Sequence, residues 1–263
     1  MNNLNQENNK VVFQEERLEK ILVLLERENR LITKELPVKL GTTVVTIRKD
    51  LIILEQRGLL KRTHGGAIGI KKLYPGLALN EKEKINLSEK LRIAKRAAKM
   101  ISKGDTIILD SGSTTSLLAK EIKRMQGITV ITNAANIANE LLYSDIEVIL
   151  IGGSLLKQTS TLVGPLADEM LRKLTADKLF MGVDGIDFEI GLTTPNILEA
   201  NTSHVMMEIS GETIVVADSS KFGRRSLGVI SKIMDIHRIV TTKKLSEKEM
   251  EILKHNNVDV ITA

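Results

Sequence analysis

The last two thirds of the sequence alternate short apolar runs with amphipathic stretches, and this alternation limits the chain to few folds. The apolar runs read TIILD, ITVITN, EVILIGG, KLFMGVDG, TIVVADSS, RIVTT and VDVIT. Strands that alternate with helices form parallel sheets whose faces are covered by the helices. The pattern begins at about Ser88 and therefore predicts an open, mainly parallel, Rossmann-like α/β domain over residues 88–263.

The preceding segment carries a different pattern, with three helical stretches followed by a hairpin. In FQEERLEKILVLLERE, residues 13–28, apolar side chains recur at the spacing of one helix face. Thr33 is placed to cap KELPVKLG, which Gly41 ends, and Thr43 is placed to cap VVTIRKDLIILEQRG. In LLKRTHGGAIGI a Gly pair separates two short apolar runs, which indicates a β-hairpin. This order is typical of a winged helix-turn-helix, which we assign to residues 13–70.

The segment KKLYPGLALNEKEKINLSE joins the two patterns. It contains a Pro-Gly turn, charges of both signs and little periodicity, which are features of a connecting segment. We therefore predict a linker over residues 71–87.

The positive charge of the chain is concentrated near its N-terminus. The chain has a net charge of +5, and residues 1–72 contain 14 Lys and Arg against 9 Asp and Glu, whereas the rest contains 24 of each. Within residues 41–72 the ratio is 7 to 2. A local basic patch suits a polyanionic partner, although a solvated basic face would carry the same charges. Because aromatic residues are only 2% of the chain, stacking of single-stranded bases is disfavoured and duplex DNA is the better candidate.

The third predicted helix carries residue types that read DNA. Its exposed face would present Thr43, Val44, Thr46, Arg48 and Lys49. Such a helix enters the major groove by its N-terminal end, where Arg or Lys donates to guanine acceptors. The predicted wing adds donors that are better placed for backbone phosphates, namely Lys61, Arg62 and His64. The alternative role for Arg48 and Lys49 is a surface ion pair with Asp50 or Glu55.

The stretch TIRKDLIILEQRGLLKRTHGGA, residues 46–67, resembles the signature of DeoR-family bacterial repressors. In that family a Thr-Ile-Arg-Arg-Asp-Leu recognition helix runs into a basic wing that ends in His-Gly-Gly-Ala. Lys49 stands where the family usually has Arg, which keeps the charge but loses the bidentate fork, and Pro37 interrupts the second predicted helix. The resemblance implies a sequence-specific repressor that binds double-stranded operator DNA.

Polar residues follow five of the predicted strands, at the edge where open parallel sheets bind ligands. In chain order they are Asp110, Ser111, Gly112, Ser113, Thr114 and Thr115; Thr132 and Asn133; Gly152, Gly153 and Ser154; Asp184 to Asp187; and Asp218 to Lys221. Gly, Ser, Asp and Asn are also ordinary turn and capping residues, so any single loop has a purely structural explanation. Because all five loops would meet at one edge, we expect a ligand site there.

The residue types in these loops suit a small phosphorylated polyol. A helix that begins within Ser111–Thr115 would hold phosphate through N–H groups and hydroxyls, with Lys221 as a further counter-charge. The side chains of Asp110, Asn133 and Asp184 would bind sugar hydroxyls. The loop is not of the Walker type, since the required Gly-Lys-Ser/Thr is absent from the sequence.

The resemblance extends into this half of the chain. The segments EKLRIAKRAAKMISKGDTIILDSGSTT, VITN, GVDGID and DSSKFG resemble the effector domain of DeoR-family regulators. The fold of that domain is similar to ribose-5-phosphate isomerase, glucosamine-6-phosphate deaminase and coenzyme A transferases. Over about residues 15–260, the resemblance implies a repressor of a carbohydrate-utilisation operon, controlled by a phosphorylated sugar effector. It also implies a homo-oligomer, either a dimer or a tetramer.

Two other classes of function stay open at this stage. A sugar-phosphate isomerase or deaminase with an accessory DNA-binding module would use Asp184, Asp187 and Lys221 as acid and base. A constitutive nucleoid-binding protein would bind DNA without sequence preference. None of the four histidines lies in a strand-end loop of the α/β half, and no His and carboxylate pair has metal-ligand spacing. Since an enzyme would not need a basic winged module, we predict a repressor that is not an enzyme and has no metal or cofactor.

The sequence contains no cysteine, which excludes disulfides, thiolate metal sites and cysteine nucleophiles. The N-terminal stretch MNNLNQENNK lacks the apolar core of a signal peptide. No apolar run reaches the roughly 18 residues that a membrane span requires. We therefore expect a cytoplasmic protein with no membrane partner.

Overall fold

The structure, a computed structural model, describes residues 14–28, 30–56, 60–69 and 73–263. The chain divides into two compact units, Met1–Lys72 and Leu73–Ala263. Phe13, with which the first predicted helix starts, lies outside the described residues.

The N-terminal unit is a helical bundle with a small antiparallel sheet. Its described elements are α1 (Gln14–Glu28), β1 (Arg30–Ile32), α2 (Leu36–Leu40), α3 (Val44–Gln56), β2 (Leu60–Thr63) and β3 (Gly66–Gly69). The strands lie in the order β1-β3-β2, so β2 and β3 form the predicted wing hairpin and β1 is an addition to it. At Gly66 a Cβ would lie 1.8 Å from the Leu31 carbonyl oxygen, so only glycine allows β1 to pair so closely.

Helices α1 and α3 pack against each other through the apolar faces that the sequence predicts. The buried side chains of this contact are Leu18, Ile21, Leu25, Ile47, Leu51 and Leu54. Thr43 caps α3 as predicted, because its Oγ1 accepts a hydrogen bond from the Thr46 N–H at 3.2 Å. The prediction that Thr33 caps α2 is wrong, since α2 begins only at Leu36. Pro37 has no N–H and is tolerated in the first turn of a helix, which fixes this later start.

The C-terminal unit is built on a seven-stranded parallel sheet. Its helices are α4 (Leu79–Lys84), α5 (Leu87–Ala98), α6 (Ser113–Ile122), α7 (Ala135–Leu141), α8 (Pro165–Leu171), α9 (Ile197–Glu208) and α10 (Glu247–His255). Its strands are β4 (Thr106–Leu109), β5 (Thr129–Thr132), β6 (Glu147–Leu150), β7 (Ser154–Leu156), β8 (Thr161–Val163), β9 (Ala176–Met181), β10 (Gly185–Asp187), β11 (Gly191–Thr194), β12 (Ser210–Ala217), β13 (Gly228–Ser231), β14 (Arg238–Thr241) and β15 (Asp259–Thr262).

The large sheet has the order β15-β14-β12-β9-β4-β5-β6, with every neighbouring pair parallel. Its seven strands are the seven predicted runs. Both faces are covered, because Ile108 packs into one apolar cluster whereas Ile107 and Leu109 pack into the other. Along the chain, β4 is the first strand of this sheet, and it lies between the second, β5, and the fourth, β9. The strand order therefore reverses between β4 and β9. This is the topological switch point, where a crevice opens at the carboxyl ends of the strands.

Residues 73–87 belong to the α/β unit, in contrast to the predicted linker over residues 71–87. The Tyr74 N–H donates to the Arg225 carbonyl at 2.6 Å, and the Leu79 N–H donates to the Gln158 carbonyl at 2.8 Å. Helix α4 has only six residues and buries one of them, Leu79. So short a helix has too little periodicity for a sequence pattern to reveal it.

Candidate functional site

A pocket opens at the switch point, between the carboxyl ends of β4 and β9. The structure brings together seven of the residues predicted to bind the effector: Asp110, Ser111, Gly112, Ser113, Thr114, Asp184 and Lys221. Asp110 follows β4 directly, and its N–H donates to the carbonyl of Phe180 in β9 at 3.1 Å. The two strand ends that border the crevice are therefore held side by side.

The N-terminus of α6 forms one wall of the pocket. Gly112 precedes the helix with a φ of 145°, a conformation that favours glycine. Among the described residues, no side chain caps the first-turn N–H groups of α6. Gly182 allows the loop after β9 to approach the loop before α6, since a Cβ there would lie 3.0 Å from the Ser111 carbonyl oxygen. Uncapped N–H groups at the positive end of a helix dipole form a binding site for an anion such as phosphate.

Two lysines flank a buried carboxylate in the same pocket. The Asp184 carboxylate lies 2.8 Å from Lys82 Nζ and 3.4 Å from Lys221 Nζ. Burial alone would raise the pKa of Asp184, but the charges and hydrogen bonds of the two lysines outweigh it and hold this pKa below its ordinary value. Burial lowers the pKa of Lys221 despite the nearby carboxylates. The two ammonium groups outnumber the Asp184 carboxylate beside them. They line the same pocket as the N-terminus of α6.

The same pocket also contains two buried carboxyl groups, Asp110 and Glu199. Burial raises the pKa of Asp110 to about 7, although the Ser111 N–H and the Ser203 hydroxyl donate to it at 2.7 and 3.1 Å. Burial also raises the pKa of Glu199, which lies beside the Thr159 hydroxyl. Within the described part of the chain, Glu199 Oε1 has no hydrogen-bond partner. Carboxyl oxygens in this environment can accept hydrogen bonds from ligand hydroxyls.

Five of the residues predicted to bind the effector lie outside the pocket lining: Thr115, Thr132, Asn133, Gly152 and Gly153. The Thr115 and Thr132 hydroxyls donate to backbone carbonyls at 2.9 and 2.7 Å. Gly153 packs against β8, where a Cβ would lie 2.8 Å from the Val163 carbonyl oxygen. Strands β5 and β6 lie on the side of β4 away from the switch point, so the loops that follow them do not reach the crevice.

The structure does not bring Asp184 and Asp187 together as the predicted acid and base. Asp187 lies outside the pocket lining and forms a bidentate ion pair with Arg225, at 2.5 and 3.0 Å. Burial would raise the pKa of Asp187, but the hydrogen bonds that it accepts, first of all from Arg225, hold this pKa below its ordinary value. Asp187 is thus engaged in a structural contact.

Sequence reasoning missed several polar residues of the pocket: Lys82, Thr159, Thr194, Glu199 and Ser203. Lys82 lies in the segment interpreted as a linker. Glu199 and Ser203 lie one turn apart on α9, and only the packing of this helix beside β11 and β12 brings them to the pocket. A strand-end rule does not select residues inside a helix, so the sequence offered no signal for them.

In the N-terminal unit, α3 presents the predicted DNA-reading face. Thr43, Arg48 and Lys49 are exposed, and Val44 and Thr46 are half-buried. The ion pairs proposed as the alternative role of Arg48 and Lys49 are absent among the described residues. Asp50 instead binds Arg17 of α1, and Glu55 binds Arg62 of the wing.

The wing exposes Lys61, Arg62 and His64, as predicted. The Arg62 N–H donates to Glu55 at 2.8 Å, and its guanidinium lies 3.7 Å from the same carboxylate. Lys61 forms no ion pair with any residue that the structure describes. The positive charge of Lys61 is therefore less compensated than that of Arg62.

The described residues contain no group of three or more His, Asp or Glu side chains arranged to hold a metal ion. In the same ranges, no helix combines the length and the apolar character that a membrane span needs.

Both units match known family profiles and curated relatives. The profile described as DeoR C terminal sensor domain matches residues 85–243, and the profile described as DeoR-like helix-turn-helix domain matches residues 17–73. The HTH-type transcriptional regulator GlpR of Haloferax volcanii is 35% identical and covers 94% of this chain and 96% of its own. The putative aga operon transcriptional repressor of Escherichia coli O157:H7 is 35% identical, with 94% and 93% covered. The lactose phosphotransferase system repressor of Staphylococcus epidermidis is 31% identical, with 94% and 98% covered.

Solved structures with a similar fold are more distant. Ribose 5-phosphate isomerase A from Methanocaldococcus jannaschii is 20% identical, with a TM-score of 0.40 and coverage of 52% of this chain and 55% of its own. The eIF2B delta subunit from Chaetomium thermophilum is 21% identical, with a TM-score of 0.38 and coverage of 55% and 51%.

Proposed function

Since the chain belongs to the DeoR family of transcriptional regulators, we propose that it represses a carbohydrate-utilisation operon under the control of a phosphorylated sugar bound at the switch-point pocket. The observation that carries this proposal is the pairing of two chemistries in one pocket. The pocket offers the α6 N-terminus and two lysines for a phosphate, together with two buried carboxyl groups for sugar hydroxyls. A relative named for the lactose phosphotransferase system supports a carbohydrate.

The phosphate of the effector binds at the first turn of α6. The N–H groups of Ser113 and Thr114 donate to its oxygens, and Lys82 and Lys221 compensate its charge. The sugar hydroxyls lie toward Glu199, whose Oε1 is an acceptor that lacks a partner among the described residues. A ligand that carries both hydroxyl donors and a dianion satisfies the acceptor and the cations together.

Operator DNA binds to the N-terminal unit. The first turns of α3 enter the major groove, where Arg48 and Lys49 donate to base edges, while Lys61 and His64 contact backbone phosphates. Because Arg62 already binds Glu55, Arg62 contributes less to phosphate binding than Lys61 does. A homo-oligomer, either a dimer or a tetramer, would place two such units on the half-sites of one operator.

The relatives that cover nearly the whole chain are transcriptional regulators and not enzymes. Control of DNA binding then requires that the effector binds more tightly to the state that does not bind DNA. Turnover of the effector is not needed for this function.

A thermal-shift screen tests the ligand assignment. The panel contains ribose 5-phosphate, fructose 1-phosphate, fructose 6-phosphate, glucose 6-phosphate and inorganic phosphate, each beside its unphosphorylated parent sugar where there is one. A ligand that binds only the folded chain raises the apparent stability by RT ln(1 + [L]/Kd). We expect a phosphorylated sugar to raise the Tm where its parent sugar does not, and Lys221→Gln to reduce this shift. Equal shifts from the parent sugars, or no shift from any phosphate, would contradict the proposal.

A further inference from the structure

One charged group of the pocket differs from the others in its place along the chain. Lys82 lies on α4, ten residues after the N-terminal unit ends at Lys72. Asp184 and Lys221 instead follow β9 and β12, two neighbouring strands of the large sheet. Lys82 is therefore the pocket cation carried by the segment that leads directly out of the DNA-binding unit.

Helix α4 is tied to the α/β unit by few contacts. Leu79 is its one buried residue, and the Leu79 N–H donates to the Gln158 carbonyl. Lys90 of α5 donates from Nζ to the Lys82 carbonyl. A six-residue helix held in this way can shift when the Lys82 side chain changes its partner, because little buried apolar surface opposes the shift.

The geometry at Asp184 allows such a change of partner. Lys82 and Lys221 both bind this carboxylate, so Asp184 keeps a counter-charge when Lys82 leaves it. A phosphate at the first turn of α6 would bring about two negative charges into the same pocket. The phosphate competes with Asp184 for the ammonium group of Lys82, since both bind it by charge-assisted hydrogen bonds.

Lys221 is held differently. It lies on a 3₁₀ turn, Ser219–Lys221, whose first residue follows β12 and Asp218. The Asp218 side chain caps this turn by accepting from the Ser220 N–H at 3.0 Å, and it also accepts from Asn86 at 2.8 Å. Lys221 therefore lies on a capped turn directly after β12 and is not part of α4.

We propose that Lys82 is the residue that couples occupancy of the pocket to DNA binding. A bound phosphate draws its ammonium group away from Asp184, and α4, which lies in the segment that follows the DNA-binding unit, moves with it. This inference rests on the proposed function, because it requires both an anionic effector and a regulated operator.

The matched variants Lys82→Gln and Lys221→Gln test the proposal in the full-length chain. Each substitution removes one of the two ammonium groups that bind Asp184, but only Lys82 lies on α4. The DNA is a duplex selected by the wild-type chain from a random library, and the probe is the sugar phosphate that stabilises the wild type most in the screen described above. The readout is the factor by which saturating probe raises the operator Kd of each variant, relative to its own Kd without probe.

Both variants are expected to bind the probe more weakly than the wild type does. At saturation, Lys221→Gln should release the operator by the same factor as the wild type, at least tenfold, whereas the factor for Lys82→Gln should fall below twofold. Equal factors for the two variants at saturation would overturn the proposal.

Hydrogen exchange of the peptide 79–85 supplies a second measurement, whose wild-type part does not depend on the stability of a variant. In the wild type, saturating probe should change the exchange of this peptide, and in Lys82→Gln it should not. Unchanged exchange in the wild type would overturn the proposal. If no panel phosphate alters the operator affinity of the wild type, the proposed function itself fails and the inference falls with it. If the wild type responds and both variants respond equally, only the role of Lys82 is rejected.

Discussion

Arg17 of α1 and Asp50 of α3 form a bidentate ion pair inside the DNA-binding unit, with nitrogen-to-oxygen distances of 2.6 and 3.1 Å. Asp50 is fully buried, so its charge depends on this guanidinium. The pair fixes α3 against α1 and keeps Asp50 away from the exposed Arg48 and Lys49. A carboxylate two residues from Arg48, the side chain proposed to read bases, is thus used for structure.

Asp50→Ala should destabilise the N-terminal unit by about 3–5 kcal/mol, because it leaves the buried Arg17 without this carboxylate. The opening free energy of α3, measured by hydrogen exchange of its backbone amides, reports this change. Glu28→Ala is the matched control, since Glu28 pairs with Lys39 at 2.9 Å in a partly exposed position. This variant should change the same free energy by about 1 kcal/mol at most. Similar effects of the two substitutions would show that the Arg17–Asp50 pair does not stabilise the unit.

Arg48→Ala and Lys61→Ala should weaken operator binding in different ways. Arg48→Ala should cost about 1–3 kcal/mol of discrimination between the operator and single-base variants of it, because it removes a base contact. Lys61→Ala should weaken binding to all duplexes alike and reduce the salt slope of log K by about 1. Fluorescence anisotropy over a salt series separates these effects. If Arg48→Ala weakened every duplex uniformly, the assignment of α3 as the reading helix would be wrong.

The raised pKa of Asp110 predicts a pH-dependent stability. The folded chain keeps this proton up to about pH 7, whereas the unfolded chain loses it near the ordinary value of 3.8. The protonated group therefore stabilises the folded chain fully below pH 3.8, and this contribution is lost as the pH rises to about 7. Asp110→Asn removes this titration. Between pH 5 and pH 8 the unfolding free energy of the variant should therefore fall less than that of the wild type, by roughly 2 kcal/mol.

Urea unfolding of the wild type and the variant at both pH values measures this difference. Parallel pH profiles for the wild type and Asp110→Asn would mean that Asp110 titrates near its ordinary value.

Gly152 and Gly153 offer a comparison between packing and binding. At Gly153 the φ is +139° and a Cβ would lie 2.8 Å from the Val163 carbonyl oxygen, whereas at Gly152 a Cβ would meet no atom within 4 Å. Gly153→Ala should destabilise the α/β unit by about 1–3 kcal/mol, and Gly152→Ala by no more than about 0.5 kcal/mol. Neither variant should change the affinity for a sugar phosphate while it is folded. Loss of affinity in a folded Gly152→Ala chain would place this loop in the ligand site.

The large sheet could be predicted because each of its strands is locally apolar. Strand β4 buries Ile107 and Ile108 on opposite faces, which produces a continuous apolar run that needs no long-range information. Two short antiparallel strands, β1 and β11, have no such signal, whereas the β2–β3 hairpin could be predicted from its Gly pair. β1 has three residues, and β11 reads GLTT, so both depend on partners that are distant in the sequence. Helix α4 was missed for the same reason.

The lining of the switch-point pocket could be predicted in part. Asp110 and Asp184 were identified because they follow strands, and both border the switch point. The loops after β5 and β6 also contain polar residues or glycines. Their distance from the crevice depends on the strand order, which local sequence does not contain. Glu199 reaches the pocket through the packing of a whole helix. Residue type is thus local information, whereas convergence on one crevice is a property of the topology.

The proposed function requires that the sugar phosphate pocket and the DNA-binding unit of this chain are energetically linked. Titration calorimetry of the full-length chain with the best sugar phosphate, in the absence and in the presence of saturating operator duplex, measures this linkage. Linkage requires the operator to weaken sugar phosphate binding by the same factor as the sugar phosphate weakens operator binding. We expect a factor of roughly 5 to 150 in both directions, the usual range of such coupling. Equal affinities for the sugar phosphate with and without operator would contradict the account.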